Sequence, residues 1–287
     1  MNWFAYTPVI LIGIFVCLFL VEKWFPLREC RVKLLARLIV NGCTSTQAFV
    51  VAMLAVQPSA LLALKWSDAQ SFGLLHALRL PAWAQFVTGF LLLDLSFYYW
   101  HRLNHTIPVL WRFHNVHHID PALDVSTGFR FHFGEVLFST AFRVIQVSLI
   151  GMSLATFASY ELVFQTGTLF HHSNWRLPIR LERWLNKMIV TPRMHGIHHS
   201  QIRPEANSNF GVVFPWWDRL HKTLGLNVLH SKITIGIPAY AAPDDNQVWS
   251  ALVMPFVRQR DYWRKPDGFE PQRDPASLAG SKTLLAE

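Results

Sequence analysis

The sequence predicts an all-α protein, an integral membrane helical bundle with a cytoplasmic histidine-rich helical cap. Hydrophobic residues make up 52% of the 287 residues and charged residues only 15%, whereas soluble domains average about 25% charged residues. The charges are absent from long continuous runs rather than thinned evenly along the chain. Histidines cluster at helical spacings beside these runs, which predicts the cap.

The first apolar run extends from Met1 to Val21 and contains no charged residue. A helix needs about 20 apolar residues to cross a bilayer, so this run is long enough for one span. It lacks the basic start and the small-residue cleavage site of a signal peptide. We therefore predict a span that is retained in the mature protein.

The cations between the apolar runs predict the orientation of the bundle. The loop after the first span carries five Lys or Arg residues, whereas the loop after the second span carries two, Lys65 and Arg79. Because cation-rich loops stay in the cytoplasm, the first loop is predicted to be cytoplasmic. The net charge of +8 is explained by this topology and by contact with anionic lipid heads, so no nucleic-acid partner is predicted.

Three further apolar runs complete the predicted bundle. They are Leu38–Leu64, Pro81–Trp100 and the stretch from Glu135 to Trp175. As one helix, the last stretch of about 35 residues would extend roughly 52 Å, which exceeds the hydrocarbon thickness of about 30 Å. A hairpin that bends near Gly151–Ser153 is therefore predicted, and it returns the chain to the cytoplasmic side.

The length predicts a single membrane-embedded domain over residues 1–263. A polar, Pro-rich tail over residues 264–287 is predicted to be disordered. Cys17, Cys30 and Cys43 have neither the even count nor the close spacing of a disulfide framework or a zinc–thiolate site. We interpret them as reduced thiols.

The chain contains 14 histidines, and most of them lie in three clusters. Spacings of three and four residues place side chains on one face of a helix. Pro108 separates the first two clusters onto different helices, and Thr191-Pro192 is typical of a helix start before the third. The clusters are His101-x-x-x-His105, His114-x-x-His117-His118 and His195-x-x-His198-His199.

These clusters predict a centre that holds two metal ions. Neutral imidazole is a ligand for iron, zinc, copper and nickel, and a buried imidazole without a partner costs about 1–3 kcal/mol. Because a single zinc takes only about four protein ligands, or three in a catalytic site, the clusters offer too many nitrogens for one ion. The isolated His76, His221 and His230 are interpreted as packing or hydrogen-bonding residues.

The three clusters, with Asp94 ahead of the first, resemble the histidine boxes of the fatty acid hydroxylase / sterol desaturase superfamily. The segments Asn207–Gly211 and Trp217–Leu220 resemble that family's sequence after the last box, and the family-like core covers about residues 90–223. The resemblance implies a di-iron centre at the cytoplasmic face of the membrane. It also implies dioxygen-dependent hydroxylation, desaturation or methyl oxidation of a lipid such as a sterol or a fatty-acyl chain.

The resemblance also adds two histidines to the implied ligands. The sequence around His132 is similar to the segment that holds an intermediate ligand in the family, although Phe133 stands where the family often has Pro. His172-Ser173-Asn174 is similar to the family's His-x-Asn, which favours His172 over its neighbour His171. The implied ligands are His101, His105, His114, His117, His118, His132, His172, His195, His198 and His199.

Carboxylates beside the imidazoles are expected to orient them, since metal-bound histidines usually donate their second N–H to such a partner. Asp94 is the leading candidate, because a carboxylate within a span is costly and usually functional. The predicted orienting residues are Asp94, Asp120, Asp124, Glu135 and Asn174. The candidates for the lipid route are Phe97, Tyr98, Trp100 and Arg143, for which membrane anchoring and snorkelling are the alternatives.

The implied cofactors are two iron ions, with dioxygen as co-substrate and no catalytic side chain beyond the metal centre. Electrons would come from a separate protein, a ferredoxin or a small haem protein with its reductase. Two other classes remain open. A membrane zinc hydrolase would pair its histidines with an adjacent Glu, which none of the three clusters contains. A metal transporter would bind ions near the membrane midplane, whereas these clusters flank the apolar runs.

Overall fold

The computed structural model describes residues 6–30, 32–226 and 228–274. Within these ranges the protein is helical, as predicted, and no β-strand is present. Of the predicted tail, residues 264–274 form turns without a helix or strand, and residues 275–287 lie outside the described ranges. The helices are α1 (Thr7–Trp24), α2 (Leu34–Val51), α3 (Gln57–Ala69), α4 (Leu74–Leu78), α5 (Ala82–Thr106), α6 (Pro108–His118), α7 (Phe133–Ile150), α8 (Leu154–His172), α9 (Ile179–Leu185), α10 (Pro192–His198), α11 (Arg203–Ala206), α12 (Trp216–His221) and α13 (Val248–Val253).

Three helical segments are long and apolar enough to cross a membrane. They are α1, the stretch Leu34–Leu78 and α7, and they support a membrane protein. Among the described residues, α5 and α8 do not meet the same criterion. Each helix carries an acidic residue and has histidines in its last turns, which lowers its hydropathy. The crossing predicted over Pro81–Trp100 therefore stays a prediction.

The hairpin predicted near Gly151–Ser153 is present between α7 and α8. Gly151 ends α7 with a φ of +68°, a conformation that favours glycine. Ser153 begins α8, because its hydroxyl accepts the Thr156 N–H at 3.2 Å as a helix cap does. A Cβ at Gly151 would lie 2.7 Å from the Phe72 carbonyl oxygen, so glycine also permits the loop before α4 to contact this turn.

Ion pairs of Arg37 connect α2 to the loop between α6 and α7. Arg37 is one of the five cations assigned from sequence to the loop after the first span. In the structure it lies within α2 and is buried. Its guanidinium pairs with Asp120 at 2.8 Å and with Asp124 at 2.5 Å. Asn41, one helical turn later, donates to Asp120 at 3.0 Å. A buried ion pair with further hydrogen bonds fixes geometry, so this loop has a defined path.

Residues 237–263, which we call the C-terminal cover, fold back over α6. Trp263 stacks on Trp111 with ring centroids 5.9 Å apart. Ile237, Ala251 and Met254 of the cover lie in one buried cluster with Trp111 and Val116 of α6. The cover therefore removes one face of this histidine-bearing helix from solvent.

Candidate metal centre

Nine of the ten predicted ligands lie in two groups at the meeting point of α5, α6, α8 and α10. Within each group, the possible ligand atoms all lie within 4.8 Å of one another. We call the groups the five-histidine group and the four-histidine group. The first contains His101, His105, His114, His118 and His198, and the second contains His117, His172, His195 and His199.

Helical geometry explains how the groups form. Side chains four positions apart lie only about 40° from each other around a helix, so His114 and His118 of α6 point to the five-histidine group together. Adjacent residues point about 100° apart on a helix, so His117 serves the other group. The third cluster divides in the same way, with His198 in one group and His199 in the other.

Backbone carbonyls orient four of these rings. In each ring the Nδ1 atom lies within hydrogen-bond distance of one carbonyl oxygen. The pairs are His101 with Phe210 at 2.9 Å, His117 with Arg130 at 3.2 Å, His172 with Thr168 at 2.8 Å and His198 with Ser208 at 2.7 Å. A carbonyl oxygen can only accept, so each Nδ1 must carry the proton. In a neutral ring the Nε2 atom is then a bare lone pair, which is the form that binds a metal.

A carboxylate orients one further ring. Glu135 accepts a hydrogen bond from His114 Nδ1 at 2.8 Å. The Nε2 atoms of His114, His118 and His198 are buried and have no hydrogen-bond partner. Glu135 is thus the predicted orienting carboxylate that the structure places against an imidazole.

The four-histidine group brings lone pairs together. The Nε2 atoms of His117 and His172 lie 3.0 Å apart, and both rings hold their proton on Nδ1. The two Nε2 lone pairs therefore face each other, which is unfavourable without a cation between them. His195 Nε2 completes the arrangement at 2.9 Å from His172 Nε2 and 3.1 Å from His199 Nε2.

A proton is a poor candidate for that cation. Burial lowers the pKa of His117, His195 and His199 well below the ordinary histidine value, and the neighbouring imidazoles lower it further. Burial lowers the pKa of His118 and His198 in the five-histidine group in the same direction. A lowered pKa favours the neutral form of these five rings, and neutral imidazole nitrogens fit two ions that accept them as ligands.

His132, the tenth predicted ligand, lies outside both groups. Its Nδ1 accepts the Gly134 N–H at 3.0 Å, so its proton is on Nε2. That N–H donates to the Leu252 carbonyl of the C-terminal cover at 3.1 Å. Both nitrogens are therefore in use, and His132 caps α7 in this structure, so its role as a ligand stays a prediction.

His171 is buried beside the four-histidine group but does not belong to it. Its ring centroid lies 4.2 Å from that of His195. His172, the ligand favoured from sequence, contributes the nitrogen.

The other predicted orienting residues contact groups other than imidazoles. Asp120 and Asp124 pair with Arg37. Asn174 bonds to the backbone of Arg28, through N–H to Oδ1 at 2.9 Å and Nδ2 to carbonyl at 2.8 Å. Asp94 accepts from Trp217 Nε1 at 2.8 Å and does not bond to a histidine. Proximity in sequence did not indicate the direction of these side chains.

The candidates for the lipid route are engaged in packing. Phe97 packs against Phe164 with centroids 4.5 Å apart, and Trp100 stacks on Phe142 at 4.7 Å. Tyr98 lies 3.0 Å from the Thr223 hydroxyl. Arg143 pairs with Glu161 of α8. The space between α5 and the hairpin is thus filled by these side chains.

Two aromatic residues at the centre were missed from sequence. Phe210 packs against three rings of the five-histidine group, with centroids 5.2 Å from His105 and 5.7 Å from both His101 and His198. Phe131 stacks on His117 at 4.7 Å with an interplanar angle of 6°. Both positions lie next to motifs already singled out, but an isolated aromatic residue carries no signal of what it covers.

Comparison with known proteins gives a consistent result. Residues 86–223 match the family model described as "Fatty acid hydroxylase". Ornithine lipid hydroxylase OlsE of Rhizobium tropici is 34% identical over 62% of this chain and 52% of its own length. Human cholesterol 25-hydroxylase is 28% identical over 47% of the chain and 48% of its own length. Alkylglycerol monooxygenase of Danio rerio is 28% identical over 66% of the chain and 41% of its own length.

The aligned region thus spans about half the length of these curated relatives. No solved structure matches the chain.

Proposed function

Because residues 86–223 belong to the fatty acid hydroxylase family, we propose that this protein is a membrane-bound non-haem di-iron oxygenase that hydroxylates or desaturates a lipid. The observation that carries the proposal is the pair of buried histidine groups. The Nε2 atoms of His117 and His172 face each other 3.0 Å apart, an arrangement that a bound metal ion stabilises. The similar proteins are named for hydroxylation or monooxygenation of lipids, which favours iron over other ions that imidazole binds.

The protein's own residues hold the ions and control their surroundings. The five-histidine group would hold one iron and the four-histidine group the other. Two bound irons would supply the redox chemistry by which dioxygen oxidises a C–H bond of the lipid. Phe210 and Phe131 cover ligand rings and so restrict water, which limits side reactions in a closed site. No described side chain is required as a nucleophile.

We further propose that the lipid substrate comes from the membrane and that electrons come from a separate protein, a ferredoxin or a small haem protein with its reductase. Sterol, fatty-acyl and related lipids all fit this proposal. The cation-rich segment after α1 favours a cytoplasmic position for the metal centre. In that position a soluble electron donor has access to the centre.

The site geometry argues against the two other classes. A catalytic zinc uses three protein ligands and keeps one position open, whereas these groups offer five and four nitrogens. In the described residues, the carboxylate bonded to a group member is Glu135, and its bond to His114 Nδ1 at 2.8 Å orients a ring of the five-histidine group. A transporter would bind ions at the membrane midplane, but the groups lie at the ends of α5, α6, α8 and α10.

The decisive experiment combines metal analysis with lipid oxidation. The full-length protein, purified in detergent, is analysed for bound metals. It is then supplied with a ferredoxin, its reductase, dioxygen and a membrane lipid extract. We expect two irons per chain and a lipid product that has gained an oxygen atom or lost two hydrogens. His198→Ala serves as the inactive control. One zinc per chain with lipid hydrolysis would contradict the proposal, as would metal flux in proteoliposomes of the same protein without lipid oxidation.

A further inference from the structure

We propose that Asp218 is a positioning residue for the five-histidine group, acting through the backbone of residues 208–211. This proposal rests on the proposed metal centre but concerns a residue that binds no metal itself. The segment that contains it was noted from sequence only as a resemblance, without a role for any of its residues.

The backbone of residues 208–211 orients two ligand rings through two of its carbonyls. The Ser208 carbonyl accepts from His198 Nδ1 at 2.7 Å, and the Phe210 carbonyl accepts from His101 Nδ1 at 2.9 Å. His198 and His101 come from different helices, α10 and α5. The short stretch 208–210 therefore aligns the Nε2 atoms of two ligands at one ion.

Asp218 fixes that stretch in place. One carboxylate oxygen accepts the Phe210 N–H at 2.9 Å, and the other accepts the Gly211 N–H at 2.8 Å. The Thr223 hydroxyl donates to the first oxygen at 2.6 Å. Asp218 has no exposed surface, so water does not replace these bonds. The Gly211 N–H belongs to the same peptide unit as the Phe210 carbonyl, so Asp218 bonds directly to the peptide unit that holds His101.

Two neighbouring contacts make the segment rigid on both sides. Asn209 adopts a φ of +53°, and its side chain donates to the Met194 and Gly225 carbonyls at 2.9 and 2.8 Å. Asp94 accepts the Phe214 N–H at 3.1 Å and the Trp217 Nε1–H at 2.8 Å. Asp94, predicted to orient an imidazole, instead bonds to the chain that leads to Asp218.

A carboxylate is required at position 218 because all of its partners are donors. In Asp218→Asn, one oxygen becomes an NH₂ group that must face a backbone N–H, so a donor meets a donor. The backbone of 208–211 then shifts, and the carbonyls that align His101 and His198 shift with it. Loss of such an orienting partner typically weakens metal binding by about 10- to 100-fold. The four-histidine group contains none of the rings held by this segment.

The test is titration of Co²⁺ into the metal-free, full-length protein, followed by its visible absorption and by metal analysis. We expect wild type to bind two Co²⁺ ions. We expect Asp218→Asn to bind one ion with wild-type affinity. The other ion should be lost or should bind about 10- to 100-fold more weakly, and its absorption bands should be lost with it. Asp245→Asn is the matched control, because Asp245 is also buried and accepts a backbone N–H, from Ala242 at 3.2 Å, but lies in the C-terminal cover.

Two intact sites with an unchanged spectrum in Asp218→Asn would overturn the proposal, as would equal weakening of both sites. If Asp218→Asn does not fold, Thr223→Val removes one donor to the same carboxylate, and an unchanged cobalt spectrum in that variant would overturn it instead. If wild type binds cobalt at two sites but oxidises no lipid, the proposed function fails while the role of Asp218 is still decided. If wild type binds no cobalt, both proposals fail together.

Discussion

His171 and His172 are neighbours in α8, and they are expected to differ sharply in what they do. His172 Nε2 lies 3.0 Å from His117 Nε2 and 2.9 Å from His195 Nε2, whereas His171 belongs to neither group. We expect His172→Ala to lose about one of the two bound irons, since a buried site cannot replace a missing ligand. We expect His171→Ala to retain both. Metal analysis of the two purified variants makes the comparison, and equal iron loss would contradict the assignment.

His132 provides a second test at the level of one side chain. Both of its nitrogens make hydrogen bonds, to the Gly134 N–H and the Leu252 carbonyl. We expect His132→Ala to keep its full iron content but to unfold more easily, because two bonds worth about 0.5–1.5 kcal/mol each are lost. Thermal unfolding and metal analysis of the same sample check this. Iron loss without a drop in melting temperature would restore His132 as a ligand.

The sequence revealed which histidines converge but not which groups orient them. Spacings of three and four residues identify a common helix face, so the clusters led to His101, His114, His195 and their partners. An orienting partner such as the Phe210 carbonyl belongs to the backbone, and every residue has one. Only the three-dimensional path of the chain selects such a carbonyl, so carbonyls orient four rings where carboxylates were predicted, and Glu135 is the predicted carboxylate that does contact a ring.

At the scale of elements, two ion pairs of one arginine join α2 to the loop between α6 and α7. Arg37 binds Asp120 and Asp124, and all three are buried. We expect Arg37→Met to lower the free energy of unfolding by about 3–5 kcal/mol, because two carboxylates lose their buried cation. Denaturation in detergent measures the effect. Arg258→Met, at an exposed position of the C-terminal cover, should change stability by less than about 0.5 kcal/mol.

If Arg37→Met were as stable as the control, the ion pairs of Arg37 would not contribute to the stability of the fold.

Helices and the hairpin turn were predictable, because apolar runs and Gly151 are local signals. The packing of Arg37 was not, since the same Lys/Arg-rich segment also fits a solvated cytoplasmic loop. Its partners lie more than 80 positions away, and no local pattern connects them.

At the scale of the whole molecule, the proposed metals would act as cross-links. The two histidine groups draw residues from α5, α6, α8 and α10. Binding to the folded state alone stabilises a protein by about 2.7 kcal/mol when the free ligand is at 100 times its Kd. We therefore expect removal of iron by a chelator to lower the melting temperature. In His172→Ala/His198→Ala the chelator should have little effect, and a similar shift there would contradict this role.

Because of the C-terminal cover, the segment that matches the family model and the segment that packs as one unit have different boundaries. The segment that matches the family model ends at residue 223, yet Trp111 and Val116 within it are buried against residues 237–263. A fragment trimmed to the homologous boundaries would leave this apolar face bare and tend to aggregate. Expression designs should therefore follow the buried contacts rather than the limits of alignment, and should keep both α2 and the residues through Trp263.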